Sequence, residues 1–319
     1  MIFKICAGFA LSLAAVLCIM PGFIEYLKKL SLRQSVSEYA LADDQKKAGT
    51  PIMGGILFIV IPILLTMILC YDKILAPEMS VIPAFAGYGL IGFIDDYLIA
   101  VKKNNEGLRP AQKFGLQVLL AVIFFVMYRN NADLSIHIPF THISLNMGIW
   151  YFVLVLFMFS GASNAVNLTD GMDGLAAGVS LIALIPYFII CLVQQRTALC
   201  VFIPSLCGAL LGYLYFNKKP ARVFMGDTGA LALGGVLAAL AMITKTELPL
   251  ILIAGVPVIE TICVIIQQVS VRTVHKRVFS YTPIHYAFRL KGMPEVNIVY
   301  MFWIAEVVCA LLGLWMAFN

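Results

Sequence analysis

Read from Met1 onward, the chain alternates long apolar stretches with short polar ones. A helix needs about 20 mostly apolar residues to cross a bilayer. Ten stretches of about that length follow one another, at 5–27, 52–71, 80–99, 114–130, 148–166, 174–193, 197–216, 228–243, 248–270 and 297–317. The predicted fold class is all-α: a polytopic integral membrane protein of about ten transmembrane helices, forming a single domain over 1–319. The gaps are too short to hold a separate soluble domain. One of them, 131–147, has alternating residues around Ile136, Ile138 and Ile143 and predicts a small hairpin. The first apolar run begins almost at Met1 and has no clear small-residue cleavage site, so a retained helix is expected rather than a signal peptide. The pattern contains no internal repeat and no low-complexity segment.

Composition agrees with this pattern. The chain is 61% hydrophobic and 12% charged, whereas a soluble domain carries about 25% charged residues. All eight cysteines (Cys6, Cys18, Cys70, Cys191, Cys200, Cys207, Cys263 and Cys309) fall in apolar runs without metal-binding or redox spacing, and read as packing residues. The net charge is +5, but its distribution says more than its sum. Gaps 28–51, 100–113, 217–227 and 271–296 hold 17 of the 22 Lys and Arg residues. By the positive-inside rule these gaps are cytoplasmic, with 167–173 on the same side by alternation. Both termini and the 131–147 hairpin are then external.

The acidic residues change the picture from membrane protein to candidate enzyme. A charge at the bilayer centre costs about 2.5–3.5 kcal/mol, so Asp95 and Asp96 together would cost roughly 5–7 kcal/mol without compensation. They lie in Gly92-Phe93-Ile94-Asp95-Asp96-Tyr97, near the cytoplasmic end of the third span. A second cluster, Asn164-Ala165-Val166-Asn167-Leu168-Thr169-Asp170-Gly171-Met172-Asp173-Gly174, sits at a cytoplasmic boundary. If it is helical, Asp170 and Asp173 share a face. A third, Phe224-Met225-Gly226-Asp227-Thr228-Gly229, opens the eighth span. Each has a plainer reading: a solvated helix end for Asp95 and Asp96, capping for the Asn, Thr and Asp residues, an N-cap for Asp227. Yet all five aspartates fall on one side under an orientation derived only from Lys and Arg. They are expected to gather around one divalent ion. Hard oxygen ligands at a water-facing boundary suit Mg²⁺ with substrate phosphates, and Lys46, Lys47, Lys102, Lys103 and Lys113 stand near enough in sequence to neutralise further phosphate oxygens. The combination points to phosphoryl chemistry at the inner leaflet.

Four motifs carry a resemblance. Ala48-Gly49-Thr50-Pro51-Ile52-Met53-Gly54-Gly55 and the three acidic clusters, the last extended to Val223, resemble the polyprenyl-phosphate N-acetylhexosamine-1-phosphate transferases, in family order and over essentially the whole chain. Within that family the likeness is to the branch that builds lipid I for peptidoglycan in bacterial cell-wall synthesis. It rests on Lys47-Ala48-Gly49-Thr50-Pro51, on Pro283-Ile284-His285 with Lys291-Gly292 and Glu295, and on Phe302-Trp303-Ile304.

What the resemblance implies is transfer of a phospho-sugar from UDP-N-acetylmuramoyl-pentapeptide to undecaprenyl phosphate, with release of UMP and with Mg²⁺ as cofactor. The site would be a cytoplasmic cleft in the plasma membrane, among membrane lipids; a homodimer is compatible and a nucleic-acid partner is not implied. It makes Asp227 the metal ligand and Asp95, Asp96, Asp170 and His285 catalytic, Asp95 as a base or a guide for the lipid phosphate. The substrate-binding positions it implies are Lys46, Lys47, Thr50, Lys113, Asn167, Leu168, Asp173, Asn217, Phe224 and Gly226, with Phe224 set to stack on uracil. Single and double displacement both remain open.

The sequence departs from the branch at two places. Three consecutive histidines are usual in the last cytoplasmic loop, whereas this chain reads His285-Tyr286-Ala287, and Ile99 stands where a Lys is expected. Two rival readings follow from the residues themselves. A sibling transferase using UDP-N-acetylglucosamine would share the aspartates. A transporter would favour ionisable groups near the midplane, for which Glu260 in the ninth span is the best candidate.

Overall fold

The computed structural model describes residues 1–30, 49–102, 107–129, 133–141 and 143–319. Its elements in chain order are α1 (Ile2–Lys29), α2 (Gly55–Leu69), α3 (Val81–Lys102), α4 (Pro110–Arg129), β1 (Ser135–His137), β2 (Ser144–Asn146) and α5 (Tyr151–Thr169). They continue with α6 (Leu175–Val193), α7 (Leu199–Asn217), α8 (Gly226–Thr244), α9 (Leu250–Ile253), α10 (Gly255–Val274), α11 (Ile284–Leu290) and α12 (Glu295–Ala317). Among the described residues nine helices are long and apolar enough to cross a membrane, and α2 is a shorter apolar helix. The all-α, polytopic reading is thus what the chain builds.

Two spans differ in form from the expectation. The second, read as 52–71, narrows to the 15 residues of α2, because the residues before it bond to another segment. The Phe224 N–H donates to the Pro51 carbonyl at 2.9 Å and the Gly54 N–H to the Phe224 carbonyl at 2.8 Å. The ninth, read as 248–270, is broken at Ala254 (φ −113°, ψ 45°) between α9 and α10. Pro257 has no N–H, and its ring excludes the carbonyl four residues back from a helical turn. The last polar gap also contains a short helix, α11, where sequence predicts only a loop. The hairpin is present: β1 and β2 pair antiparallel with Ile136 opposite Leu145.

At the centre stands α8, where every residue from Thr228 to Thr244 is buried. Its glycines and alanines let neighbouring backbones approach closely, which is how apolar helices pack where lipid offers no hydrophobic driving force. The closest approach is to α3: a Cβ on Gly92 would overlap the Asp227 carbonyl. A second, smaller core lies under α11, built from Met172, Leu175, Val179, Val256, Ile298, Val299 and Phe302.

The ends of the bundle are distinct. At one end the five basic-side gaps meet through Pro51 and Phe224, Leu108 and Asp95, Asp173 and Ala221, Gly171 and Tyr286, and Lys219 and Glu295. At the other lie the hairpin and both termini: Lys4 pairs with Asp72 at 3.7 Å, and the Asn319 carbonyl accepts the Phe140 N–H at 2.7 Å.

Candidate active site

The site is assembled where α3 ends, α4 begins and α8 begins. Asp95 and Asp96 are successive residues of one helix, so their side chains leave it in different directions. Asp95 faces the polar gap: one carboxylate oxygen accepts the Leu108 N–H at 2.8 Å, and the other lies 3.9 Å from the Lys113 ammonium. Lys113, one turn into α4, also pairs with Asp227 at the first turn of α8. One ammonium is thus held between two carboxylates. Like charges about 4 Å apart repel by about 4 kcal/mol at an effective dielectric of 20, so a cation between them is what makes the arrangement tenable. Asp227 is the most accessible of the three, with 22% of its side chain exposed.

Asp96 points into the protein and braces α8. Its Oδ1 accepts the Asp227 N–H at 3.1 Å, and its Oδ2 accepts the Thr228 N–H at 3.0 Å and the Thr228 hydroxyl at 2.6 Å. These N–H groups belong to the first turn of a helix and have no partner within it. Gly226 makes the approach possible: it adopts φ 69°, and a Cβ there would overlap the Asp96 carboxylate.

The second group is the turn after α5. Asp170 is the C-cap residue of that helix, and its N–H donates to the carbonyls of Val166 and Asn167 at 3.1 and 3.2 Å. Asp173 is buried, and its carboxylate accepts the Ala221 N–H at 3.0 Å. The Asp173 N–H in turn donates to Glu295 at 3.0 Å, and Lys219 pairs with the same glutamate at 2.5 Å. Asn217 joins the turn to the segment before α8: its carbonyl accepts the Gly174 N–H at 3.0 Å and its NH₂ donates to the Val223 carbonyl at 2.9 Å. Both ends of that carboxamide are therefore engaged by backbone.

His285 is fully buried, not a surface loop residue. Its ring packs against the turn beside Gly171, and the neighbouring Tyr286 hydroxyl donates to the Gly171 carbonyl at 3.0 Å. Thr50, Asn167, Leu168 and Phe224 are half-buried at the same end. Lys46, Lys47 and Lys103 lie outside the described residues.

The five aspartates thus share one end of the bundle but form two groups: Asp95, Asp96 and Asp227 with Lys113, and Asp170 with Asp173 on the adjoining turn. Among the described residues no set of three or more His, Cys, Asp or Glu side chains is grouped to hold a metal ion. The expectation that all five surround one ion is corrected accordingly, since both Asp96 oxygens are committed to α8. A divalent ion fits a smaller donor set. Mg²⁺ is commonly held by one or two carboxylates together with substrate phosphates, and Asp95 and Asp227 already converge on one cation.

Sequence reasoning passed over Glu295 and Lys219 as site residues, and placed Glu260 in another role. Glu260, buried within α10, accepts the N–H groups of Ile284 and His285 at 2.6 and 3.2 Å and stands 2.9 Å from the His285 Nδ1. The signal that could have found it was a carboxylate inside an apolar span, which requires a partner.

Comparison with known proteins gives first a class and then a narrower family. Residues 79–245 match the profile of Glycosyl transferase family 4, a range that contains every aspartate of both groups. The phospho-N-acetylmuramoyl-pentapeptide-transferase of Bacillus subtilis (strain 168) is 43% identical over 318 residues, covering 98% of this chain and 97% of the relative. That of Geobacillus sp. (strain WCH70) is 43% identical over 309 residues, covering 96% and 95%. That of Staphylococcus aureus (strain bovine RF122 / ET3-1) is 42% identical over 314 residues, covering 97% and 98%. The chain belongs to the phospho-N-acetylmuramoyl-pentapeptide-transferases of glycosyl transferase family 4.

Proposed function

We propose that the protein transfers phospho-N-acetylmuramoyl-pentapeptide from its UDP derivative to undecaprenyl phosphate, giving lipid I and UMP. The observation that carries this reading is identity above 40% along nearly the whole chain with relatives named for that transfer. The joining of two carboxylates to one lysine at the polar end of the bundle supplies suitable chemistry. The donor is a water-soluble nucleotide, so this end faces the cytosol of a bacterial plasma membrane. The placement of 17 of 22 basic residues in the gaps of that end supports the same orientation.

In this reading a lipid-phosphate oxygen forms a bond to the β-phosphorus. The bond from that phosphorus to the bridging oxygen breaks, and the oxygen leaves with UMP. A phosphate monoester has its second pKa near 6 and is mostly dianionic at neutral pH, so no strong base is needed. The task left to the protein is placement and charge neutralisation. Lys113 neutralises phosphate oxygens, Asp95 holds Lys113 and guides the incoming lipid phosphate, and Asp96 fixes the start of α8 so that Asp227 faces the cleft. Mg²⁺, held by Asp227 with Asp95 beside it, would supply neutralisation of the charge that builds between the two phosphates. Phe224 and Asn167, half-buried at the same end, would take the nucleotide.

The structure weakens the transporter alternative on one point: Glu260 accepts the N–H groups of Ile284 and His285 and stands beside the His285 Nδ1, rather than lining a path. The test is donor choice. Purified protein with undecaprenyl phosphate is expected to release UMP from UDP-N-acetylmuramoyl-pentapeptide and not from UDP-N-acetylglucosamine. Release from the second donor alone would assign the sibling activity. Vesicle uptake without UMP would assign transport.

A further inference from the structure

Glu260 lies deep in an apolar helix with none of its side chain exposed, and the side chain of His285, at the start of α11, is equally buried. A buried carboxylate in a membrane protein is retained only where it is fully engaged, and this one is. Its Oε2 accepts the Ile284 N–H at 2.6 Å, while its Oε1 accepts the His285 N–H at 3.2 Å and lies 2.9 Å from Nδ1 of the same residue. The first two contacts hold the opening turn of α11, whose N–H groups have no partner within the helix. The third sets the ring. With three nitrogens converging on two acceptor oxygens, the hydrogen between Nδ1 and Oε1 belongs to the imidazole. The remaining nitrogen, Nε2, is buried, has no hydrogen-bond partner among the described residues, and is aimed at Gly171, where a Cβ would overlap it. Gly171 follows Asp170 in the turn that carries the second aspartate group. The missing side chain at 171 is what lets the imidazole edge reach that turn.

We infer that Glu260 is a positioning residue for the transfer: it fixes His285 as the Nδ1–H tautomer and turns Nε2, as a hydrogen-bond acceptor, toward the Asp170–Gly171 turn. This rests on the proposed transfer activity. A histidine's free nitrogen is set by the bond its other nitrogen makes; such partners are worth ~10- to 100-fold where the histidine ligates a metal, and a loss of that order is the scale expected for Glu260. The inference also gives the one histidine that stands where three are usual a defined role, since Tyr286 and Ala287 offer no imidazole that could replace it.

The test uses the full chain labelled with ¹⁵N-histidine. Only four histidines are present, so the His285 signals are assigned by their loss in His285→Asn. In the wild type, Nδ1 is expected to carry the proton and Nε2 to be bare; the opposite tautomer overturns the inference without any variant. Glu260→Gln places an NH₂ where an acceptor stood. It is expected to change the His285 ring signals and to lower UMP release ~10- to 100-fold, with Glu260→Asp recovering part of the rate. In a His285→Asn background Glu260→Gln is expected to add less than about a twofold further loss, the non-additivity of residues that act as a unit. Unchanged ring signals in Glu260→Gln, or losses that multiply in the double variant, would show a merely structural glutamate. If the wild type releases UMP from neither donor, the transfer reading fails, and the ring signals still decide the tautomer.

Discussion

Replacing Asp227 by Asn is expected to slow UMP release by on the order of a thousandfold while leaving the unfolding temperature in detergent nearly unchanged. The substitution is isosteric, and the anchoring of α8 does not pass through the side chain it alters. Asp96 holds the helix start by the backbone N–H of residue 227 and by Thr228. What changes is charge: Lys113 loses one of its two carboxylates and keeps Asp95 at 3.9 Å. In a site whose work is placement and neutralisation, removing one such fixed charge costs transition-state stabilisation directly. The measurement is single-turnover UMP release at saturating donor and acceptor, with Mg²⁺ titrated after chelation. Wild-type activity is expected to vanish on chelation and return with Mg²⁺, and the variant to stay slow at every Mg²⁺ concentration. A rate within about tenfold of wild type would fall short of the loss that a fixed charge in such a site implies, and would remove Asp227 from the chemistry.

Much of this arrangement is legible from residue order alone, because two strong constraints act locally. Apolar length fixes the spans, and the Lys and Arg bias gathers the polar gaps onto one end, so the segments carrying Asp95, Asp170 and Asp227 are brought together before any coordinates are known. The 131–147 hairpin is legible for the same reason, since alternation is a local signal. What sequence reading does not supply is the division of labour among the acids. Asp95 and Asp96 are identical in type and adjacent, and only their helical directions make one face Lys113 and the other α8. Asn217 has the chemistry of a nucleotide contact, yet its carboxamide joins Gly174 to Val223. The contraction of α2 comes from bonds between residues 51–54 and Phe224, far apart in sequence. The break at Ala254 did have a local cue in Pro257. His285 and Glu260 are 25 residues apart, and no local pattern links them.

The separation of Asp95 from Asp96 leads to the other large expected effect, Asp96→Ala. This change is expected to lower stability by about 3 kcal/mol or more, because the N–H groups of Asp227 and Thr228 and the Thr228 hydroxyl lose their acceptor, and an unsatisfied buried donor costs about 1–3 kcal/mol. The loss also removes a negative charge from the positive end of the α8 dipole. Water cannot easily substitute, because Thr228 and the α8 residues behind it are buried. Asp96→Asn is expected to fall between wild type and Ala: one carbonyl oxygen still accepts, but the amide turns donor hydrogens toward donors. The order wild type, Asn, Ala should therefore appear in the unfolding temperature as well as in UMP release, whereas Asp227→Asn moves only the rate. If Asp96→Ala abolished release at unchanged stability, its carboxylate would act on substrate and not on the helix. A parallel fall of both quantities is the signature of the brace that sets Asp227 in place.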